Sequence, residues 1–353
     1  MQHWFKRVPG FASHSDIYVH TILDAGTESA IHSNSRSKSC IIYFGGDVQN
    51  AEEFMLSNSE NSIWRNFSLE QTASLLYKKF SSNEENQKLS HQNKPIIMAI
   101  SPQDFSAGSY SHFSQFVDSA DFTGSPIYSS VGWRAWSELE ALAENALRLT
   151  STPSDSGSTN GSPPTVQFTL IGFSKGCVVL NELLLELARV NLACRAPARA
   201  HGSKNAVVQR VARFASCVQH WVWLDGGHNG LAPVWIQDAA VVNALTELPL
   251  EHSAATAAST SAPVYVHVAV SPYQTSDSRR PHIGRQCARF CELLRDRQAA
   301  ASCAQHTRPL RVTFELLFES DPRSLQAHFG VLEAFSINPN GDGSDSDSRS
   351  KLS

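Results

Sequence analysis

At 353 residues, with 41% hydrophobic and 18% charged side chains, the chain carries enough apolar material for one large globular core. A formal charge of −4 gives no general electrostatic attraction to nucleic acid or to anionic membranes. No stretch approaches the roughly 20 apolar residues of a membrane helix. Seven cysteines at unrelated spacings rule against a disulfide scaffold, and no second pair joins Cys287 and Cys291 to complete a zinc site.

In chain order, the first segment is MQHWFKRVPGFASHSD, mixed and mildly basic, with Lys6 and Arg7 and no acid before Asp16. Residues 1–16 read as a flexible or targeting amino terminus. Strand-length apolar runs follow at 17–23, 40–46, 95–100, 165–173, 221–225, 264–270 and 312–318. The last five show little alternation, the habit of strands buried on both faces of a mostly parallel sheet. Helical patterns fill the gaps at 68–80, 135–149, 177–190, 234–248, 284–294 and 325–335, the first opening on Ser68 three residues before Gln71, a capping-box spacing. A βαβα series of this length predicts one α/β domain over 17–335, a doubly wound, mostly parallel sheet with helices on both faces. Loop insertions are expected near 101–130, 151–164 and 192–216, and the polar, glycine-rich residues 336–353 as a disordered tail.

The strongest local signal is Gly172-Phe173-Ser174-Lys175-Gly176, placed between the strand TVQFTLI and the helical run CVVLNELLLELARV. A nucleophile elbow requires this setting: the serine sits on a sharp turn and the glycines let neighbouring backbone approach. The bland alternative is a tight turn in which Ser174 caps the helix. After the strand CIIYF comes Gly45-Gly46-Asp47, where the N–H of Gly46 or Asp47 would face a developing oxyanion opposite the N–H of Lys175. The Lys175 side chain reads either as a cation at the pocket mouth, favouring an anionic substrate, or as a solvated surface charge. An acid should follow the serine and a histidine come last. Asp225, in the strand-ending run WLDGGH, is the preferred acid, with Asp277 as competitor; His328, after the final strand, is the preferred base, with His228 as competitor and His267 read as a core histidine. No phosphate-binding glycine loop or HExxH pattern is present, so neither cofactor nor metal is expected.

Six separated blocks occur in order: YFGGDVQN (43–50), NFSLEQTASLL (66–76), GFSKGCVVLNELLLEL (172–187), WLDGGHNG (223–230), SPYQ (271–274) and AHFGVLEAF (327–335). Over roughly residues 39–335 the chain resembles the animal family named after human chromosome 2 open reading frame 69. That resemblance implies an α/β-hydrolase-like fold, a serine hydrolase with Ser174, Asp225 and His328 in the catalytic positions, and a mitochondrial location in the matrix, with the cytoplasm as the alternative. The family's first block reads closer to F-P-G-D-V-Q, so Gly45 here replaces a proline.

The leading expectation is hydrolysis of an ester, thioester or amide through an acyl-enzyme, on a small-molecule acyl substrate. The rival is a catalytically silent protein of the same fold that binds a protein or small-molecule partner. A third reading is a lipid-directed enzyme, for which residues 112–133 would supply an exposed apolar lid.

Overall fold

The computed structural model describes residues 1–21, 38–81, 94–150, 166–195, 204–230, 232–247, 262–303 and 307–336. The predicted loop 151–164 and all of the predicted tail except Ser336 lie outside the described residues.

Every predicted strand is present: β2 (His14–His20), β3 (Lys38–Phe44), β4 (Ile96–Ile100), β9 (Val166–Phe173), β10 (Val218–Leu224), β11 (Val264–Val270) and β12 (Leu310–Leu316). An eighth, β1 (Gln2–Pro9), precedes them, and four short strands, β5 (Asp104–Ser106), β6 (Tyr110–His112), β7 (Asp118–Ser119) and β8 (Pro126–Ile127), form two small hairpins. The main sheet runs β1-β2-β4-β3-β9-β10-β11-β12. The strand β2 pairs antiparallel with both β1 and β4; the remaining pairings are parallel.

Side-chain alternation divides the core between the two faces of this sheet. Cys40, Ile42 and Phe44 point into one layer, covered by α2 (Arg134–Thr150), α3 (Cys177–Arg195), α4 (Lys204–Ser216) and α5 (Pro281–Cys303). Ile41 and Tyr43 point into the other, covered by α1 (Leu69–Ser81) and α6 (Leu325–Ala334). The charged residues inside α3 turn inward for a reason. Glu186 accepts hydrogen bonds from the N–H groups of Ala135 and Trp136, satisfying the open amino end of α2.

Three expectations are corrected. Residues 1–16 are not flexible: they pair as β1 with β2, and Glu138 on α2 accepts from the N–H groups of Phe11 and Ala12 and from the Ser13 hydroxyl, fastening the hairpin turn. Residues 204–216 are not a surface excursion but the helix α4, which buries Val208, Val211, Ala212 and Ala215. The run 234–248 contributes only a short helix, Ala239–Asn243, because Val234, Trp235 and Ile236 are all buried in succession before Asp238 caps the turn.

The excursion over 101–130 forms the two hairpins and lies over the carboxyl ends of the central strands. Phe113 and Phe116 pack edge-on against Phe44, with ring centroids 6.0 and 5.3 Å apart, which ties it to the core. Phe122, Ile127 and Val131 remain exposed on its outside.

Candidate active site

Ser174 follows β9 directly, and its φ of 51° lies in the left-handed region that costs a side chain energy. Neighbouring glycines make this turn possible. A Cβ on Gly176 would stand 2.1 Å from the Phe44 carbonyl oxygen, and one on Gly172 would stand 2.9 Å from the Cys177 Cα. A 3₁₀ turn over Ser174–Gly176 leads into α3, which carries the chain away from the sheet, and the N–H of Lys175 lies in that turn ahead of the helix, where backbone donors have no partner within it.

Asp225, at the end of β10, also has a positive φ, 44°, and is fully buried. Its backbone N–H donates to the Ala269 carbonyl at 2.7 Å, which fixes the turn against β11. One carboxylate oxygen, Oδ1, accepts from the Ser271 N–H at 2.7 Å. The other, Oδ2, accepts from the Ser271 hydroxyl at 2.6 Å and from Nδ1 of His328 at 2.6 Å. Because a carboxylate only accepts, His328 carries its proton on Nδ1 and keeps Nε2 as a lone pair when neutral.

His328 is in the first turn of α6, whose N-cap Ser324 accepts from the Ala327 N–H. Its ring stacks on Phe173 and lies against Tyr273, with centroids 4.6 and 4.7 Å apart. Ser174 and His328 line one cavity of about 140 Å³, which Asp47 also reaches. Thus β9, β10 and β12 deliver the predicted serine, acid and histidine to one edge of the sheet, where open α/β sheets place their sites.

The loop after β3 is organised by Gln49, which is completely buried. Its Oε1 accepts from the Tyr43 hydroxyl and, at 2.7 Å, from the Gly46 N–H, while Nε2 donates to the Phe67 carbonyl. Gly46 is therefore occupied, which leaves the N–H of Asp47 as the free candidate in this loop. The close approach at Gly46 is steric: a Cβ there would meet the Ser174 Cβ at 2.8 Å. The Asp47 carboxylate accepts from the N–H and hydroxyl of Ser111, and burial raises its pKa against the opposing pull of Lys175.

The other candidates fall elsewhere. The Lys175 side chain is neither at the pocket mouth nor solvated: it is 1% exposed and its Nζ donates to the Thr123 carbonyl at 2.6 Å, fastening the overlying excursion. Burial lowers its pKa, partly offset by Asp47 and Asp121. Among the described residues Asp277 has no hydrogen bond to a histidine; it binds Arg280 at 2.9 Å and Arg323 at 2.7 Å. His228 lines the cavity, and burial pushes its imidazole down to about 4; Nε2 is 3.4 Å from the Pro233 carbonyl, and the ring is not paired with an acid. His267 is buried within β11, with Nδ1 2.6 Å from the Thr313 hydroxyl.

Ser271 and Gln49 escaped the sequence reading of individual residues. Both lie in quoted blocks, SPYQ and YFGGDVQN, and a polar residue just beyond a strand end was the available signal.

An eight-stranded sheet in this order, with one antiparallel strand near its edge and a strained serine turn after the fifth, defines a protein of α/β-hydrolase fold. A family model described as C2orf69 matches residues 6–148 and 135–300, and the chain belongs to that family. It is 29% identical over 337 residues to the human mitochondrial protein C2orf69, covering 84% of this chain and 74% of the human one. To the mouse homolog it is 29% identical over 336 residues, covering 84% of this chain and 77% of that protein. Among solved structures it is similar to the siderophore hydrolase EstB from Aspergillus nidulans, with 12% identity, 94% of each chain covered and a TM-score of 0.41. It is also similar to a puromycin-hydrolyzing peptidase of Mycobacterium tuberculosis, with 11% identity, 94% of this chain and 38% of that one covered and a TM-score of 0.38. No helix among the described residues is long and apolar enough to cross a membrane.

Proposed function

We propose that this protein is a serine hydrolase that cleaves a small ester, thioester or amide through an acyl-enzyme on Ser174. The observation that carries the proposal is the fully buried Asp225 bonded at 2.6 Å to Nδ1 of His328, with His328 and Ser174 lining the same cavity. A carboxylate in this position holds the tautomer whose Nε2 accepts a proton and steadies the imidazolium that forms.

In the reaction, Ser174 Oγ attacks the acyl carbon while His328 Nε2 takes its proton, and the imidazolium then protonates the departing oxygen, sulfur or nitrogen. The N–H groups of Lys175 and Asp47 receive the negative oxygen of the tetrahedral intermediate. Water activated by the same histidine releases the acid and restores Ser174. The relatives named as mitochondrial proteins support the same compartment for this chain, and we extend the proposal to the matrix.

The test is covalent labelling by a fluorophosphonate probe of wild type, Ser174→Ala and His328→Ala, each shown to be folded by circular dichroism. Labelling of wild type that both substitutions abolish is the expected result. A folded wild type that resists labelling and turns over no ester would replace the hydrolase with a silent binding protein of the same fold.

A further inference from the structure

The cavity lining is of two kinds: an apolar part that includes the stacked Trp64 and Phe329, and a polar part that includes Asn229, Gln274, Arg280 and the Asp47 carboxylate, which Ser111 engages. A volume of about 140 Å³ is below the roughly 300 Å³ at which pockets begin to hold drug-sized ligands, so the bound portion is short.

Arg280 is the cation of the polar part, since Lys175 is spent on Thr123. Its guanidinium is held in place: Nε donates to Asp277 Oδ2 at 2.9 Å and one terminal nitrogen lies 3.4 Å from Asn229 Oδ1. Arg323 donates to the same Asp277 oxygen at 2.7 Å. Two guanidiniums therefore share one carboxylate, and Asp277 does not neutralise both. The Arg280 side chain keeps 25% of its surface, enough to meet a ligand while its orientation is fixed from behind. Beside it, the Gln274 side chain is 4% exposed and its Oε1 has no hydrogen-bond partner. An amide head reads either way round, so this one is free to turn its NH₂ toward an acceptor. His228 Nδ1 is likewise buried without a partner.

Resting on the hydrolase reading above, we infer that Arg280, assisted by the Gln274 amide, anchors an anionic group of the substrate, a carboxylate or a phosphate, at the end of a short chain lying along the apolar part. The substrate class is then a small ester or thioester with a negative charge on its acyl part or its leaving group, in place of a neutral long-chain lipid. Arginine suits this role because its fork matches both oxyanions with paired N–H donors.

The experiment measures kcat/KM of the purified full chain on two matched pairs: monomethyl glutarate against methyl valerate, which differ in the acyl part, and S-acetyl-3-mercaptopropionate against S-propyl thioacetate, which differ in the leaving group. Wild type should favour the charged member of one pair by about 10- to 100-fold, the worth of hydrogen bonds to a charged group. The responding pair tells which side of the scissile bond carries the anion. Arg280→Ala should bring that ratio to about one, Arg280→Glu should invert it, and Arg279→Ala, on the neighbouring exposed side chain, should leave it in place. Labelling of Ser174 without a preference for either charged substrate overturns the anion anchor and spares the nucleophile. A preference that survives Arg280→Glu in a folded variant also overturns it. Absence of both labelling and turnover overturns the hydrolase reading and this inference with it.

Discussion

Asp225→Asn tests the site most sharply, because the structure dictates how the new amide must sit. The Ser271 N–H donates to Oδ1, so an asparagine must keep its carbonyl oxygen there. Its NH₂ then occupies the place of Oδ2, facing both the Ser271 hydroxyl and His328 Nδ1. The hydroxyl can rotate to accept, but the imidazole can accept only by moving its proton to Nε2. A histidine in that tautomer presents a donor to Ser174 and cannot take its proton. Comparable changes of tautomer cost about 10⁴ in rate, which is about 5.4 kcal/mol at 1.36 kcal/mol per tenfold. The assay is the second-order rate of fluorophosphonate labelling, with thermal melts to confirm the fold. A folded Asp225→Asn that labels within about tenfold of wild type would refute the assignment of acid and tautomer together.

Other outcomes follow from the same geometry. Gly176→Ala, whose Cβ would stand 2.1 Å from a backbone oxygen that cannot swing away, should cost about 3 kcal/mol and show as a lower melting temperature or insoluble protein. Lys175→Met keeps the backbone N–H but removes the bond to Thr123, so it should cost about 1.5–3 kcal/mol and speed hydrogen exchange across residues 110–125. Burial raises the Glu182 carboxyl from 4.5 to about 7, so folding favours its protonated form. That advantage is complete below about 4.5 and is lost as the pH rises through about 7. Glu182→Gln should therefore match wild type near pH 4 and exceed it at pH 8 by on the order of 2–3 kcal/mol in denaturant unfolding. The Ser129 N–H, which donates to Glu182 at 3.0 Å, keeps an acceptor in the variant.

The central strands were legible because continuous apolar runs such as TVQFTLIGF and VYVHVAV fit only a sheet covered on both faces. The serine turn was legible because its two glycines flank Ser174 in sequence, although the contacts that demand them lie at Cys177 nearby and at Phe44 on the neighbouring strand. What stayed hidden depends on distant partners. In β1 the signal is diluted by His3, Lys6 and Arg7, yet Val8 is buried and Trp4 donates to Glu70 across the fold. Lys175 reads as a surface charge because nothing nearby in sequence announces the Thr123 carbonyl that covers it. The run 234–248 has a helical spacing, but contact with α5 draws it out, with the Val234 N–H donating to Gln286. Nor does the sequence announce the two arginines that engage Asp277 or the His328 imidazole that meets Asp225.

One face of the sheet is closed by α1 and α6, and α6 also carries His328. Phe329, Val331 and Leu332 pack into that layer immediately after the histidine. The wall of the house and the working part are thus one turn of helix. On the hydrolase reading proposed above, substitutions in this stretch are expected to lower turnover before they lower protein abundance. A variant such as Val331→Ala should be judged by turnover as well as by expression, since a small slip of the helix moves Nε2 before it unfolds the domain.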